Sequence, residues 1–202
     1  MRIGLVSDIH GNAEALEAAI AHMGDVDELW CAGDAMSEYR FSNDVVAILR
    51  ERCSQYVIGN HEYGLLSDYG ERARSRADPD LLEYVRTRPK CVEQTLEGRR
   101  IMMTHASPVE PFTQYLAAGS PDLIRVADVA ADVVIIGHTH MPMVQRFGSV
   151  LLVNPGSTGQ SRPSDRGPVL SCAVLHLPSC EVEVTTYGER FDDVVDRRLI
   201  AA

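Results

Sequence analysis

Residues able to bind a metal recur along this chain at short spacings, each set following an apolar run. Asp8 and His10 form Asp-Ile-His, and Asp34 follows Gly33. Asn60, His61 and Glu62 form Gly-Asn-His-Glu, His105 stands alone after residues 101–104, and His138 and His140 form Gly-His-Thr-His. Imidazole nitrogens and carboxylate oxygens together suit borderline divalent cations such as Mn²⁺, Fe²⁺, Zn²⁺, Co²⁺ and Ni²⁺. The spacing in Asp-x-His and His-x-His puts two side chains on one face of an extended segment, or splays them around a common centre in a loop. A carboxylate can bridge two ions where an imidazole cannot, and Asp34, alone between the paired motifs, is the natural bridge. Singly, each motif reads more blandly as a turn or a surface pair. Their conjunction, each after an apolar run, is what points to chemistry.

Positioning such a set requires strands that end on one edge. Residues 2–7 form a short apolar run ending in a polar loop, as a buried parallel strand does. Residues 12–23 carry a helical apolar stripe at Leu16, Ile20 and Met23. A strand over 28–32, a helix over 42–52 capped by Ser42 and a strand over 55–58 complete βαβαβ, which predicts a largely parallel sheet. Asp78-Pro79 opens a helix through Arg86, and Ser120-Pro121 opens one through Ala130, in both cases a capping residue before a proline. Strands are expected at 100–104, 133–136, 143–147, 150–153, 169–177 and 181–187, with a short helix at 191–200. Five strands thus end in candidate ligands, and sites in open α/β sheets form at the carboxyl ends of strands. Two sheets with helices outside them are the expected architecture, in one domain over 1–202.

Composition narrows the function. A formal charge of −10 repels a phosphate backbone at long range, which excludes a nucleic acid polymer as partner. A small phosphorylated substrate is compatible, because bound cations reverse the field locally. The absence of a long apolar stretch excludes a membrane partner and sets a cytoplasmic expectation. Cys31, Cys53, Cys91, Cys172 and Cys180 are odd in number and lack Cys-x-x-Cys spacing, so they are expected as thiols. His22 and His176 are expected to be structural. Tyr39, Arg40 and Phe41 lie close enough to the Gly-Asp loop to line a pocket, and Arg162 and Arg166 could meet a substrate anion.

The motifs in this order resemble the calcineurin-like metallophosphoesterase superfamily, whose pattern is Asp-x-His, Gly-Asp, Gly-Asn-His-Asp/Glu, a single His and Gly-His-x-His. The resemblance runs from Arg2 to about Ser157 and includes Asn-Pro-Gly-Ser at 154–157, as in the small single-domain bacterial and archaeal phosphodiesterases of YfcE type. It implies an α/β four-layer α/β/β/α sandwich with two mixed sheets packed face to face. It also implies two divalent ions, Mn²⁺ foremost: one on Asp8, His10 and His140, the other on Asn60, His105 and His138, with Asp34 bridging. Asn60 and His61 would contact substrate, and His61 would stabilise the leaving oxygen, oriented by Glu62 where the family more often has Asp. The implied reaction is phosphodiester hydrolysis by a metal-bound hydroxide. A phosphomonoesterase or a serine/threonine phosphatase would use the same site. A non-catalytic scaffold, as in the retromer subunit resembling this family, would share the fold. Assembly into a homo-oligomer is left open.

Overall fold

The computed structural model describes residues 1–37, 39–110, 113–165, 167–191 and 193–200. Two sheets face each other. The first has the order β11-β10-β9-β1-β2-β3, built from β1 (Arg2–Val6), β2 (Glu28–Cys31), β3 (Cys53–Tyr56), β9 (Val169–His176), β10 (Glu181–Gly188) and β11 (Val194–Ile200). The second runs β4-β5-β6-β8-β7, from β4 (Cys91–Leu96), β5 (Arg99–Thr104), β6 (Val133–Ile135), β7 (Met143–Phe147) and β8 (Val150–Asn154). Both are mixed. β1, β2 and β3 are parallel, as expected, while β9 joins β1 antiparallel; β5, β6 and β8 are parallel between antiparallel β4 and β7.

The period-two alternation of strands explains the layering. Ile3, Leu5 and Trp30 face Ile101, Met103, Val133, Ile135, Leu151 and Val153 across the gap between sheets. Val6, Leu29 and Cys31, on the opposite face, pack on α1 (Ala13–Met23) and α2 (Asn43–Arg52) through Leu16, Ala19, Val45 and Leu49. Val134, Ile136 and Leu152 turn outward under Leu123 and Val126 of a 3-10 helix, Pro121–Asp128. Strands covered on both faces must be apolar at every position, which is why these read as continuous apolar runs. The result is the expected four-layer sandwich. Among the described residues no helix is long and apolar enough to cross a membrane.

Three expectations differ from the structure. The stretch 191–200 is not a helix: β11 pairs antiparallel with β10 from Val182↔Ile200 to Tyr187↔Val194, closing that edge of the sheet. The segment after Ser120 takes i→i+3 bonds such as Leu123 N–H to Ser120 C=O (3.2 Å), so it is a 3-10 helix ending at Asp128. The chain after β3 folds into α3 (Asn60–Leu66), a 3-10 turn at Asp68–Gly70, and α4 (Glu71–Arg74), none of which the apolar pattern had signalled.

The helix opened by Asp78-Pro79 is as expected, as α5 (Pro79–Arg86). The Asp78 carboxylate accepts from Asp80 N–H (2.9 Å) and Leu81 N–H (3.2 Å). Asp78→Ala lowers stability by about 1 kcal/mol, the usual loss of an N-cap. A thermal melt then shifts down by about 2–4 °C in a chain of this size; an unchanged melting temperature would refute the cap's contribution. The five cysteines are free thiols, and Cys172 lies opposite Thr185 rather than Cys180. His22 is structural: its Nε2 bonds the Phe191 carbonyl (2.9 Å) and its ring packs on Tyr187.

Candidate metal centre

The candidate ligands gather at one end of both sheets. Asp8 and His10 follow β1, and Asp34 follows β2. The two loops run side by side, with Asp8 N–H to Gly33 C=O (2.9 Å), His10 N–H to Asp34 C=O (3.0 Å) and Gly11 N–H to Ala35 C=O (2.8 Å). The second sheet contributes His105 after β5 and His138 and His140 after β6, tied by Gly137 N–H to His105 C=O (2.8 Å). Cross-sheet bonds lock the halves together. His105 Nδ1–H donates to Ala32 C=O (2.7 Å), and His138 N–H donates to both Asp8 carboxylate oxygens (3.2 and 3.0 Å).

Asp8, His10, Asp34, His138 and His140 all have positive φ, at 53°, 50°, 51°, 68° and 60°. Left-handed backbone costs a non-glycine residue about 1–2 kcal/mol, and Asp and His are among the types that tolerate it best. Among the described residues only Glu97, Cys180 and Phe191 share this conformation without being candidate ligands. Here the strain turns each loop sharply enough to aim its ligand inward. Gly33 and Gly59 serve the same packing. A Cβ on Gly33 would lie 2.7 Å from His105 Nδ1, and one on Gly59 would lie 2.1 Å from Asp34 Oδ1. This is why glycine precedes Asp34 and Asn60.

The side chains meet as three groups, in each of which the ligand atoms lie within 4.8 Å of one another: Asp8, His10 and His140; His10, Asp34 and His61; Asp34, His105 and His138. His10 Nε2 and His140 Nε2 are 3.0 Å apart, and His140 Nε2 is 3.3 Å from Asp8 Oδ1. His105 Nε2 sits 3.1 Å from both Asp34 Oδ2 and the Asn60 side-chain oxygen. Asp34 therefore reaches toward both ends, as a bridge would. Its Oδ1 also accepts from His61 N–H (2.9 Å), and its Oδ2 is 3.7 Å from His61 Nε2. Asp8 and Asp34 are almost wholly buried.

Electrostatics point the same way. Burial lowers His10 to about 4, with the Asp34 charge opposing it and His140 adding to it. Burial and then the charge of His105 lower His138 to about 4 as well. For His105 burial acts downward too, but the bond to Asp34 and its charge prevail and hold it up at about 9. Burial would raise Asp34, yet His105 and His61 keep it below its ordinary value. Neutral His10 and His138 present lone pairs, and the proton between His105 and Asp34 occupies a place a cation could take. His138 Nε2 and His140 Nδ1 are buried with no hydrogen-bond partner. Buried carboxylates, neutral imidazoles and orphaned ring nitrogens within contact distance fit a divalent cation better than they fit one another.

Glu62 takes a different place from the one expected. It is fully buried, and its Oε2 accepts from Asp34 N–H (2.9 Å) and Gly59 N–H (2.6 Å), its Oε1 from Met36 N–H (3.1 Å). The carboxylate is committed to backbone, capping α3 and holding the Asp34 loop, rather than to the His61 ring. That ring stands edge-on to His10, with centroids 4.6 Å apart. Asn154 and Ser157, read from sequence as a turn, are supports. Asn154 donates to Gly137 C=O (2.8 Å) and Thr139 Oγ1 (3.1 Å), and the Ser157 hydroxyl to Asp8 C=O (2.8 Å). Tyr115 has no motif around it, yet its ring lies 3.7 Å from that of His138. Arg162 lies away from this cluster, beside Met143 and Arg198, and Arg166 lies outside the described residues.

Comparison with known proteins agrees with the geometry. Residues 1–179 match the family described as the calcineurin-like phosphoesterase superfamily domain. A probable metallophosphoesterase of Methanothermobacter thermautotrophicus is 28% identical, over 82% of this chain and 81% of that protein. In fold, the chain is similar to a metallophosphoesterase from Sphaerobacter thermophilus, with TM-score 0.75 and 23% identity over 98% and 89% of the two chains. It is also similar to Yfce, a phosphoesterase from E. coli, with TM-score 0.58 and 22% identity over 99% and 100%.

Proposed function

Because this chain belongs to the calcineurin-like phosphoesterase superfamily, we propose that it hydrolyses small phosphate diesters at a pair of divalent cations. Membership makes it a metallophosphoesterase, a hydrolase of phosphoric esters. The finer reading takes residues 1–202 as a single such domain, working in the cytoplasm with its thiols reduced. Asp8, His10 and His140 would hold one cation, and Asn60, His105 and His138 the other, with Asp34 between them. The observation that carries this reading is the position of Asp34, whose carboxylate belongs to two of the three ligand groups. Manganese is the first choice, since the set mixes imidazole nitrogen with carboxylate oxygen.

Bound cations would supply Lewis-acid charge that offsets the phosphate's own and makes water acidic enough to attack at neutral pH. The chain's residues do the rest. Asn60 is exposed at the start of α3, so its amide can meet a phosphate oxygen from the solvent side while its oxygen faces His105. His61 follows it and is partly exposed, with its ring held between His10 and Asp34. From there the imidazole can donate a proton to the departing alkoxide oxygen. His105 Nδ1–H, fixed on the Ala32 carbonyl, keeps Nε2 turned into the site. Ser157 and Asn154 hold the Asp8 and His138 loops in register, so the ligands do not have to be gathered when substrate arrives.

The test is a rate comparison on purified protein with added Mn²⁺. Bis(p-nitrophenyl) phosphate should turn over faster than p-nitrophenyl phosphate, and chelation should abolish both rates. The reverse preference would make the enzyme a monoesterase. No turnover of either compound with metal bound would sink the catalytic reading and favour a scaffold.

A further inference from the structure

A cleft of about 530 Å³ opens beside the His105 and His138 end of the site, and the mechanism above gives it no task. Asn60, His105 and His138 form its inner wall, so whatever occupies it is attached to a phosphate at the candidate metal centre. The volume falls in the range of about 300–1,000 Å³ that holds a ligand of drug size, and far exceeds what a phosphate group fills. Ile58, Tyr63, Cys91, Met102 and Ala106 make the lining mainly apolar. Two sulfur-bearing side chains and a tyrosine ring are polarisable surfaces, which favour an aromatic ring over a flexible alkyl chain.

One cation stands at this cleft. Lys90 is the only lysine in a chain of net charge −10, and its Nζ lies 4.8 Å above the Tyr63 ring. Lys90 and Tyr63 are both exposed at the mouth. An ammonium held over a ring there offers a place for negative charge other than the scissile phosphate. A simple aryl ester would leave that place unused, and so would an acyl chain. An aromatic base joined through a sugar to more than one phosphate uses every feature.

We propose that this cleft binds the nucleoside of a nucleotide-type ester, with its base against Tyr63 and Met102 and a further phosphate against Lys90. The proposal rests on reading the neighbouring ligand cluster as a phosphoesterase centre, and it adds the substrate class.

Titration calorimetry on the full chain with Mn²⁺ tests it, using ADP, pyrophosphate and dodecyl phosphate as probes. ADP should bind about tenfold more tightly than pyrophosphate, the low end of what stacking a base on an aromatic side chain contributes. Tyr63→Ala should remove most of that margin, and Lys90→Gln should weaken ADP about fivefold; both residues are exposed, so neither change threatens the fold. Equal affinities for ADP and pyrophosphate would overturn the proposal. So would a margin that survives in Tyr63→Ala, or tighter binding of dodecyl phosphate than of ADP. Turnover of bis(p-nitrophenyl) phosphate, measured on the same preparation, separates the two readings. Turnover without an ADP margin defeats the cleft assignment alone, whereas an ADP margin without turnover upholds it and defeats the diesterase reading.

Discussion

Asp34→Asn lowers turnover of bis(p-nitrophenyl) phosphate by about three orders of magnitude and reduces bound manganese per chain. The figure follows from the several kcal/mol that a metal's charge contributes to a phosphoryl transition state, at about 1.4 kcal/mol per tenfold. The substitution is nearly isosteric, so it isolates charge. An asparagine oxygen in the place of Oδ1 can still accept from His61 N–H, the bond that is 2.9 Å in the native chain. Its amide nitrogen then faces His105 Nε2 where a carboxylate oxygen lay at 3.1 Å, and a neutral amide makes a poor bridge between two cations. Folding should survive, because the backbone bonds of this loop, to His10 and to Glu62, are untouched. The check is metal analysis beside kinetics, with the emission of the single, buried Trp30 reporting the fold. A folded variant that kept its metal and its rate would remove Asp34 from the centre of the argument.

Asp34 also shows why so much of the site was legible beforehand. The candidate ligands lie in loops directly after apolar strands or open the next helix, and their residue types are ones that chains seldom bury without reason. Strands buried on both faces, such as β1, β6 and β8, are marked by unbroken apolar runs, so their ends were marked too. Edge elements carry no such mark. β11 is mostly exposed and places Val194, Val195, Leu199 and Ile200 at spacings a helix could also use; its pairing with β10 is what makes it a strand. β4 buries only Val92, so nothing in its pattern announced it. α3 begins on Asn60 itself, and a short helix opening on a motif reads as a turn until its cap is seen. That cap is Glu62. Sequence spacing set it beside His61, but spacing cannot say which way a side chain turns. Three buried backbone N–H groups without another acceptor decided the matter.

Those three N–H groups make Glu62 the support whose loss is felt most. Glu62→Ala leaves the amides of Asp34, Met36 and Gly59 without the acceptor they now share, in a buried place. Each such group costs about 1–3 kcal/mol, so the loss is at least about 3 kcal/mol. At about 2–4 °C per kcal/mol, a thermal melt moves down by about 10 °C. An opposing effect exists. Burial and the nearby Asp34 charge push Glu62 up to about 7, so the carboxylate is itself an unfavourable group to enclose. Glu62→Gln separates the two contributions. It keeps an acceptor and discards the charge, so it should melt close to wild type, while Glu62→Ala should not. Both loops that Glu62 ties carry ligands of the centre, Asp34 on one and Asn60 on the other. The alanine variant should therefore also lose about 10–100-fold in manganese affinity, as expected when a group that orients a ligand is removed. A lowered melting temperature with undiminished affinity would make Glu62 a purely structural acid. An unchanged melting temperature would mean the three amides find other partners, and the loop geometry described for Asp34 would be wrong.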